Sequence, residues 1–114
     1  MALKRIDAVV RPESFEKVKK ALERARCPGL MVFAFQGCGR SGEASELIKK
    51  RRFKADLLPK VLLTIISKTE EAKNIADVIL KAARTGKVGD GKIFVSPVIT
   101  AVRIRTGEKG TGAI

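Results

Sequence analysis

Histidine, tryptophan and tyrosine are all absent from these 114 residues, and only two cysteines occur. Each absence removes a class of chemistry. Two thiols without a histidine fall short of the three or four protein ligands that a zinc site normally takes, so no metal site is expected. Cys27 and Cys38 flank an expected strand from Gly29 to Gln36, which at about 3.3 Å per residue holds them well beyond the roughly 7 Å limit for a disulfide. Beside two glycines, Cys38 reads either as a reactive thiol or, the preferred reading, as an ordinary small residue. Five phenylalanines are the only aromatic residues, which leaves little material for the base-stacking platforms of single-strand binders and weighs against nucleic acid. No apolar run approaches the roughly 18 residues of a membrane span, and no charged segment followed by an apolar one opens the chain at Met1 as in a secretory signal. The expectation is a cytoplasmic protein without direct membrane insertion.

What is present is a globular composition with a strong basic excess. Hydrophobic residues make up 45% of the chain and charged ones 32%, enough apolar material for one core but not two. A single domain spanning residues 1–114 is expected. Twenty-four Lys and Arg against twelve Asp and Glu leave a net charge of +12. Such an excess attracts phosphorylated small molecules, acidic proteins, anionic membrane surfaces or nucleic acid, and charge alone does not choose among them.

The hydrophobic pattern orders the elements. Leu3 to Val10 reads as a strand stopped by Arg11-Pro12-Glu13. From Ser14, apolar residues recur as Phe15, Val18, Ala21, Leu22 and Ala25, a helical spacing broken at Cys27-Pro28-Gly29. Leu30 to Phe35 is a second strand. Residues 40–57 show neither period and form a long exposed loop, about 38–57 with its flanks, and Lys60 to Ile66 is the third strand. Ser67 and Glu70 have capping-box spacing for a second helix, which buries Ala72, Ile75, Ala76, Ile79, Ala82 and Ala83 and stops at Gly86. Ile93-Phe94-Val95 begins a fourth strand, Ile99 to Ile104 reads as an extension of the sheet, and residues 106–114 form a C-terminal loop and tail. The order β-α-β-β-α-β is that of a ferredoxin-like α+β sandwich, with two helices on one face of an antiparallel sheet. The third strand is apolar on both faces: Val61, Leu63 and Ile65 on one, Leu62 and Ile66 on the other. Two helices cover only one face, so a closed homo-oligomer is expected to cover the second.

Two segments carry chemistry. In Thr85-Gly86-Lys87-Val88-Gly89-Asp90-Gly91-Lys92, glycines permit positive φ and close backbone approach, so that consecutive amides with Lys92 beside them suit a phosphate. The same residues also suit a plain helix-to-strand turn. Gly86 to Lys92 matches the spacing of a P-loop, but Ile93 stands where magnesium needs a Ser or Thr, and a strand follows instead of a helix, which excludes that NTPase. In Arg103-Ile104-Arg105 a strand conformation would set two guanidinium forks on one face with Ile104 packed inward, an arrangement suited to a polyphosphate. Asp90 is the sole acid in the glycine turn and no nucleophile–base pair is in view, so the chain does not read as an enzyme.

Four runs taken together, T-G-K-V-G-D-G-K-I-F, R-I-R-T-G-E, G-C-G-R entering the long loop and D-L-L-P-K leaving it, resemble the PII nitrogen regulatory proteins in order and spacing across essentially the whole chain. The resemblance implies a homotrimer with its sheets toward the central axis and ATP or ADP in clefts between subunits. Magnesium would accompany ATP. The positions that match the nucleotide site are Gly37, Gly39 and Arg40 at the loop base, Ile66 on the adenine side, Gly89, Asp90, Gly91 and Lys92 in the glycine turn, and Arg103 and Arg105 near the C-terminus. Thr64 and Met31 stand where the family usually has Glu and Thr contacts to the base or ribose.

The long loop departs from the family. A glutamine that helps hold magnesium and 2-oxoglutarate in family members is replaced by Ser41, which lacks its reach; Lys60 matches the lysine that pairs with the 2-oxoglutarate carboxylate. These two residues are the candidate effector ligands. Phe53 replaces the tyrosine that is modified in many bacterial members and has no hydroxyl to modify. Lys49, Lys50, Arg51, Arg52, Phe53 and Lys54 read either as a solvated, self-repelling loop or as a docking element for an acidic target protein. In the family this loop contacts targets including the ammonium transporter, and Lys49 is the nearest match to the residue that enters the transporter's pore mouth. The function implied is a regulator of nitrogen metabolism acting on such a transporter or a nitrogen-assimilation enzyme. The alternative within the same fold is a sensor of another metabolite, such as carbon or bicarbonate status.

Overall fold

The computed structural model describes residues 2–37 and 57–114. Among the described residues, the strands and α-helices are β1 (Leu3–Val10), α1 (Phe15–Arg24), β2 (Met31–Gly37), β3 (Leu58–Lys68), α2 (Thr69–Ala83) and β4 (Lys92–Val98). The strands form one antiparallel sheet in the order β2-β3-β1-β4, which is the ferredoxin-like arrangement.

Strand register decides which side chains share a face. Ile6, Ala8 and Val10 of β1 pair with Ile65, Leu63 and Val61 of β3, and all six are buried beneath the helices. Val18 and Leu22 of α1, with Ala72, Ile75, Ile79 and Ala83 of α2, complete that core; their spacing at three and four residues puts each set on one helical stripe. The two prolines inside strands sit where a missing N–H does least harm. Pro97 lies on the edge strand β4, and Pro59 precedes the Val61 position at which β1 ends, so β3 has only β2 beside it there.

Among the described residues, no helix covers the opposite face. Phe33, Leu62, Val9 and Lys92 form one row across it, and Met31, Thr64, Asp7 and Phe94 the next. Met31, Phe33 and Phe94 are 48%, 53% and 56% exposed. Leu62 and Ile66, expected on this second face, are half-buried on it. A polar pair lies among them: Thr64 is 1% exposed and its hydroxyl donates to Asp7 Oδ1 at 2.6 Å, while Arg5 Nε donates to the same carboxylate at 2.9 Å.

Three local expectations are corrected. Ser67 does not cap α2: β3 continues through Lys68 because Leu3 and Lys4 extend the ladder to Lys68 and Ser67, and the Ser67 hydroxyl donates to the Lys68 carbonyl instead. The first free amide of α2, that of Thr69, finds the Ala2 carbonyl at 3.0 Å, and Glu70 and Glu71 face the positive end of the helix dipole. Second, α1 ends before the Cys27-Pro28-Gly29 break. Arg26 takes φ 57°, and the Cys27 and Arg26 amides donate to the Leu22 and Glu23 carbonyls, a Schellman closure. Third, residues 99–104 do not extend the sheet. After Val98 the chain closes on itself, with Arg103 N donating to Glu108 O at 2.8 Å and Gly107 N to Arg103 O at 2.7 Å, because Gly107 at φ 76° turns it back. The long loop expected over 38–57 lies outside the described residues but for Leu57.

Candidate functional site

The glycine turn is built as a cage around one carboxylate. Asp90 accepts from the Thr85 amide at 2.8 Å, the Gly86 amide at 2.9 Å and the Thr85 hydroxyl, and the Lys87 amide in turn donates to Thr85 Oγ1 at 3.1 Å. The Thr85 hydroxyl above all, then the backbone amides and the Arg11 guanidinium, hold the Asp90 carboxyl down at about 2. Asp90 is therefore ionised at neutral pH, and both its oxygens accept hydrogen bonds from within the turn.

Two cations from elsewhere in the fold grip the turn's backbone. Arg11, at the end of β1, donates from Nη2 to the Val88 carbonyl and places Nε 3.5 Å from Asp90 Oδ1. Lys60 of β3 reaches the Gly89 carbonyl with Nζ at 3.5 Å. Gly91, at φ 107°, presses against β1 so closely that no side chain fits there. A cleft of about 440 Å³ beside the turn is lined by Val9, Ile79, Leu80 and Ala83 as well as Arg84, Asp90, Gly91 and Lys92; its walls are mostly apolar, with the two cations among them.

The structure divides the expected site residues between two ends of the sheet. Gly37 closes β2, Lys60 lies near the start of β3, and Gly89, Asp90, Gly91 and Lys92 lead into β4, so all share one end. Ile66 is at the other: its β1 partner is Arg5, four residues from Val9, the partner of Lys92, or about 13 Å along the strand. The segment carrying Arg103 and Arg105 leaves the sheet after Val98, at the same far end as Ile66. Nor do those arginines form paired forks on a strand. Arg103 Nη1 binds Glu108 Oε1 at 2.9 Å, and Ile104, expected to pack inward, is 99% exposed in the turn between them. Met31 and Thr64 pair across β2 and β3, with the Thr64 hydroxyl committed to Asp7.

Gly39, Arg40, Ser41 and the run Lys49, Lys50, Arg51, Arg52, Phe53 and Lys54 lie outside the described residues, as does Cys38. Cys27 is a free thiol whose pKa burial pushes up. Among the described residues no group of three or more His, Cys, Asp or Glu side chains is placed to hold a metal, and no helix is long and apolar enough to cross a membrane. Sequence reasoning missed Arg11, and it placed Thr85 in the glycine run without giving it a role. Arg11 looked like part of a strand stop, and the one signal available was an arginine pinned before a proline at a strand end.

The family model of nitrogen regulatory protein P-II matches residues 3–108. The chain belongs to the PII family. Nitrogen regulatory protein P-II 2 of Methanothermobacter thermautotrophicus is 45% identical over 112 residues, 98% of this chain and 97% of that protein. Nitrogen regulatory protein P-II of Cereibacter sphaeroides is 40% identical over 112 residues, covering 98% and 100%. Among solved structures, Arabidopsis thaliana PII bound to citrate superposes with a TM-score of 0.79 at 31% identity, over 99% of this chain and 92% of that one. The four-stranded sheet under two helices is thus the PII fold, and the glycine turn sits within the matched region. PII proteins are regulators by name.

Proposed function

We propose that this PII protein is a non-enzymatic sensor that binds ATP or ADP in clefts between the subunits of a homotrimer and signals nitrogen status to a target protein. The observation that carries the reading is the division of the site. One protomer presents a braced glycine turn with Lys60 and Lys92 at one end of its sheet, and Ile66 with the exit to Arg103 and Arg105 at the other. A phosphate-and-base site therefore needs the far end of a second copy beside the near end of the first. The uncovered face with Met31, Phe33 and Phe94 supplies the apolar surface such an assembly buries.

In this reading Gly37, Gly39, Arg40, Gly89, Asp90, Gly91 and Lys92 frame the phosphates from one subunit, with Ile66, Arg103 and Arg105 supplied by its neighbour. Asp90 acts by shaping the turn, since its oxygens are occupied within it. Magnesium would accompany ATP. The basic run from Lys49 to Lys54 docks on an acidic target, a membrane transporter or a nitrogen-assimilation enzyme, in the cytoplasm. A second reading, a sensor of another metabolite such as carbon or bicarbonate status, is favoured by Ser41, which shortens the reach toward a bound 2-oxoglutarate that Lys60 alone would then have to hold. The Arabidopsis relative bound to citrate makes small polycarboxylates reasonable probes.

Calorimetric titration with ATP and ADP, with and without magnesium and 2-oxoglutarate, tests both readings. One nucleotide per chain supports the sensor, and tighter ATP binding in the presence of 2-oxoglutarate supports nitrogen sensing. Saturable nucleotide binding that ignores 2-oxoglutarate moves the weight to the second reading. No binding of either nucleotide would overturn the sensor altogether.

A further inference from the structure

We propose that Arg11 is a positioning residue for the nucleotide's phosphates: it sets the shape of the glycine turn by joining the Val88 carbonyl and the Asp90 carboxylate to the end of β1. The inference rests on the functional reading above and adds to it a residue outside the turn and outside the positions matched to the nucleotide site.

The turn needs an external brace because of its own composition. Gly86, Gly89 and Gly91 all stand at positive φ, at 85°, 98° and 107°, and glycines lose more backbone freedom on ordering than any other residue. Asp90 ties Thr85 and Gly86 together, which closes the first half of the turn on itself but anchors it to nothing else. Arg11 supplies that anchor across 77 residues of chain. Its guanidinium is planar and has donors in a fixed fork, so holding a carbonyl and a carboxylate at once defines the spacing between them.

Arg11 is itself held rigid. Pro12 follows it and favours extended backbone at the preceding residue, and Arg11 stands at φ −65° and ψ 145°. Its carbonyl accepts from the Ser14 amide at 3.0 Å, and its neighbour Val10 is buried in the sheet. The base of the fork is therefore part of the sheet, and the tip is part of the turn. Any departure of the turn from this shape breaks the Val88 contact, the Asp90 contact, or both.

The test is ATP titration of the intact protein with hydrogen exchange read in parallel. Wild-type protein that binds neither ATP nor ADP overturns the functional reading and this proposal with it. Given wild-type binding, Arg11→Gln is expected to weaken ATP about tenfold, the worth of one charge-assisted hydrogen bond, with faster exchange confined to amides 85–91 and unchanged protection in β3. Saturating ATP should restore the turn's protection. Arg11→Lys keeps the charge but reaches only one of the two acceptors, and an intermediate loss of about threefold is expected. Wild-type ATP affinity in Arg11→Lys overturns the proposal even where Arg11→Gln fails to fold, as does unchanged turn exchange in Arg11→Gln.

Discussion

Gly91 lies against Val9 so tightly that a methyl group on its α-carbon would fall 1.7 Å from the Val9 carbonyl oxygen. That oxygen belongs to β1 backbone and cannot move aside without unpairing the sheet. Gly86 differs: it also has positive φ, at 85°, but has open space where a side chain would go.

The pair separates conformational cost from steric cost. Gly86→Ala is expected to destabilise by about 1 kcal/mol, the left-handed penalty alone. Gly91→Ala is expected to cost more than about 3 kcal/mol, since it adds an overlap that only backbone displacement relieves. Urea unfolding of both variants at constant m-value decides the matter, and equal losses would mean that the contact with Val9 relaxes.

Asp90 makes a pH prediction whose sign follows from its depressed pKa. Its carboxyl sits at about 2 in the folded protein against an ordinary 3.8, so the unfolded chain binds the proton first. The stability it contributes is fully present above about pH 4 and is lost as pH falls from there toward 2. Asp90→Asn removes this component. The difference in unfolding free energy between wild type and Asp90→Asn should hold steady from pH 7 to 5 and shrink between pH 4 and 2. A difference independent of pH would show that the carboxylate's charge is not what the turn uses.

The elements came through in the sequence wherever one periodicity dominated. Val18 and Leu22, or Ala72, Ile75 and Ile79, repeat at helical spacing and are buried as that spacing requires. Apolar residues on both faces of β3 correctly signalled a second apolar surface, with Leu62 half-buried on it beside exposed Phe33. The misreadings arose where long-range pairing overruled a local motif. Ser67 had a Glu three residues on, but Lys4, more than sixty positions earlier, drew it into the sheet. Arg103 and Arg105 alternate as strand residues do, yet Gly107 turns the chain back and gives Arg103 to Glu108. The glycine turn was legible as a motif. Its brace was not, because nothing local connects Arg11 with Val88 and Asp90.

Arg26 offers a stabilising substitution. It occupies the left-handed position of the closure that ends α1, at φ 57°, where glycine is the usual residue. Its amide and that of Cys27 make the closing hydrogen bonds, and both survive in Arg26→Gly. Relief of the left-handed penalty outweighs the added freedom of the unfolded chain, and a gain of about 1 kcal/mol is expected. Thermal and urea unfolding measure it. A loss of stability would mean that the Arg26 side chain contributes more than its backbone strain costs.

The uncovered sheet face makes the sharpest demand on assembly. Phe33 lies in a row with Leu62 and Val9, and Phe94 in the next row with Asp7 and Thr64. Both phenylalanines are more than half exposed in one protomer, so a carboxylate at either position costs the monomer little. In the proposed trimer the same carboxylates would be buried among copies of themselves, unpaired and mutually repelling. Phe33→Glu and Phe94→Glu are therefore expected to shift the protein from trimer to monomer in sedimentation equilibrium while far-ultraviolet circular dichroism keeps the α+β signature. Because the proposed cleft draws on two subunits, each variant should lose ATP binding together with its assembly. A folded monomer that still binds ATP would place the whole site within one chain, and trimers that persist in both variants would move the interface off this face.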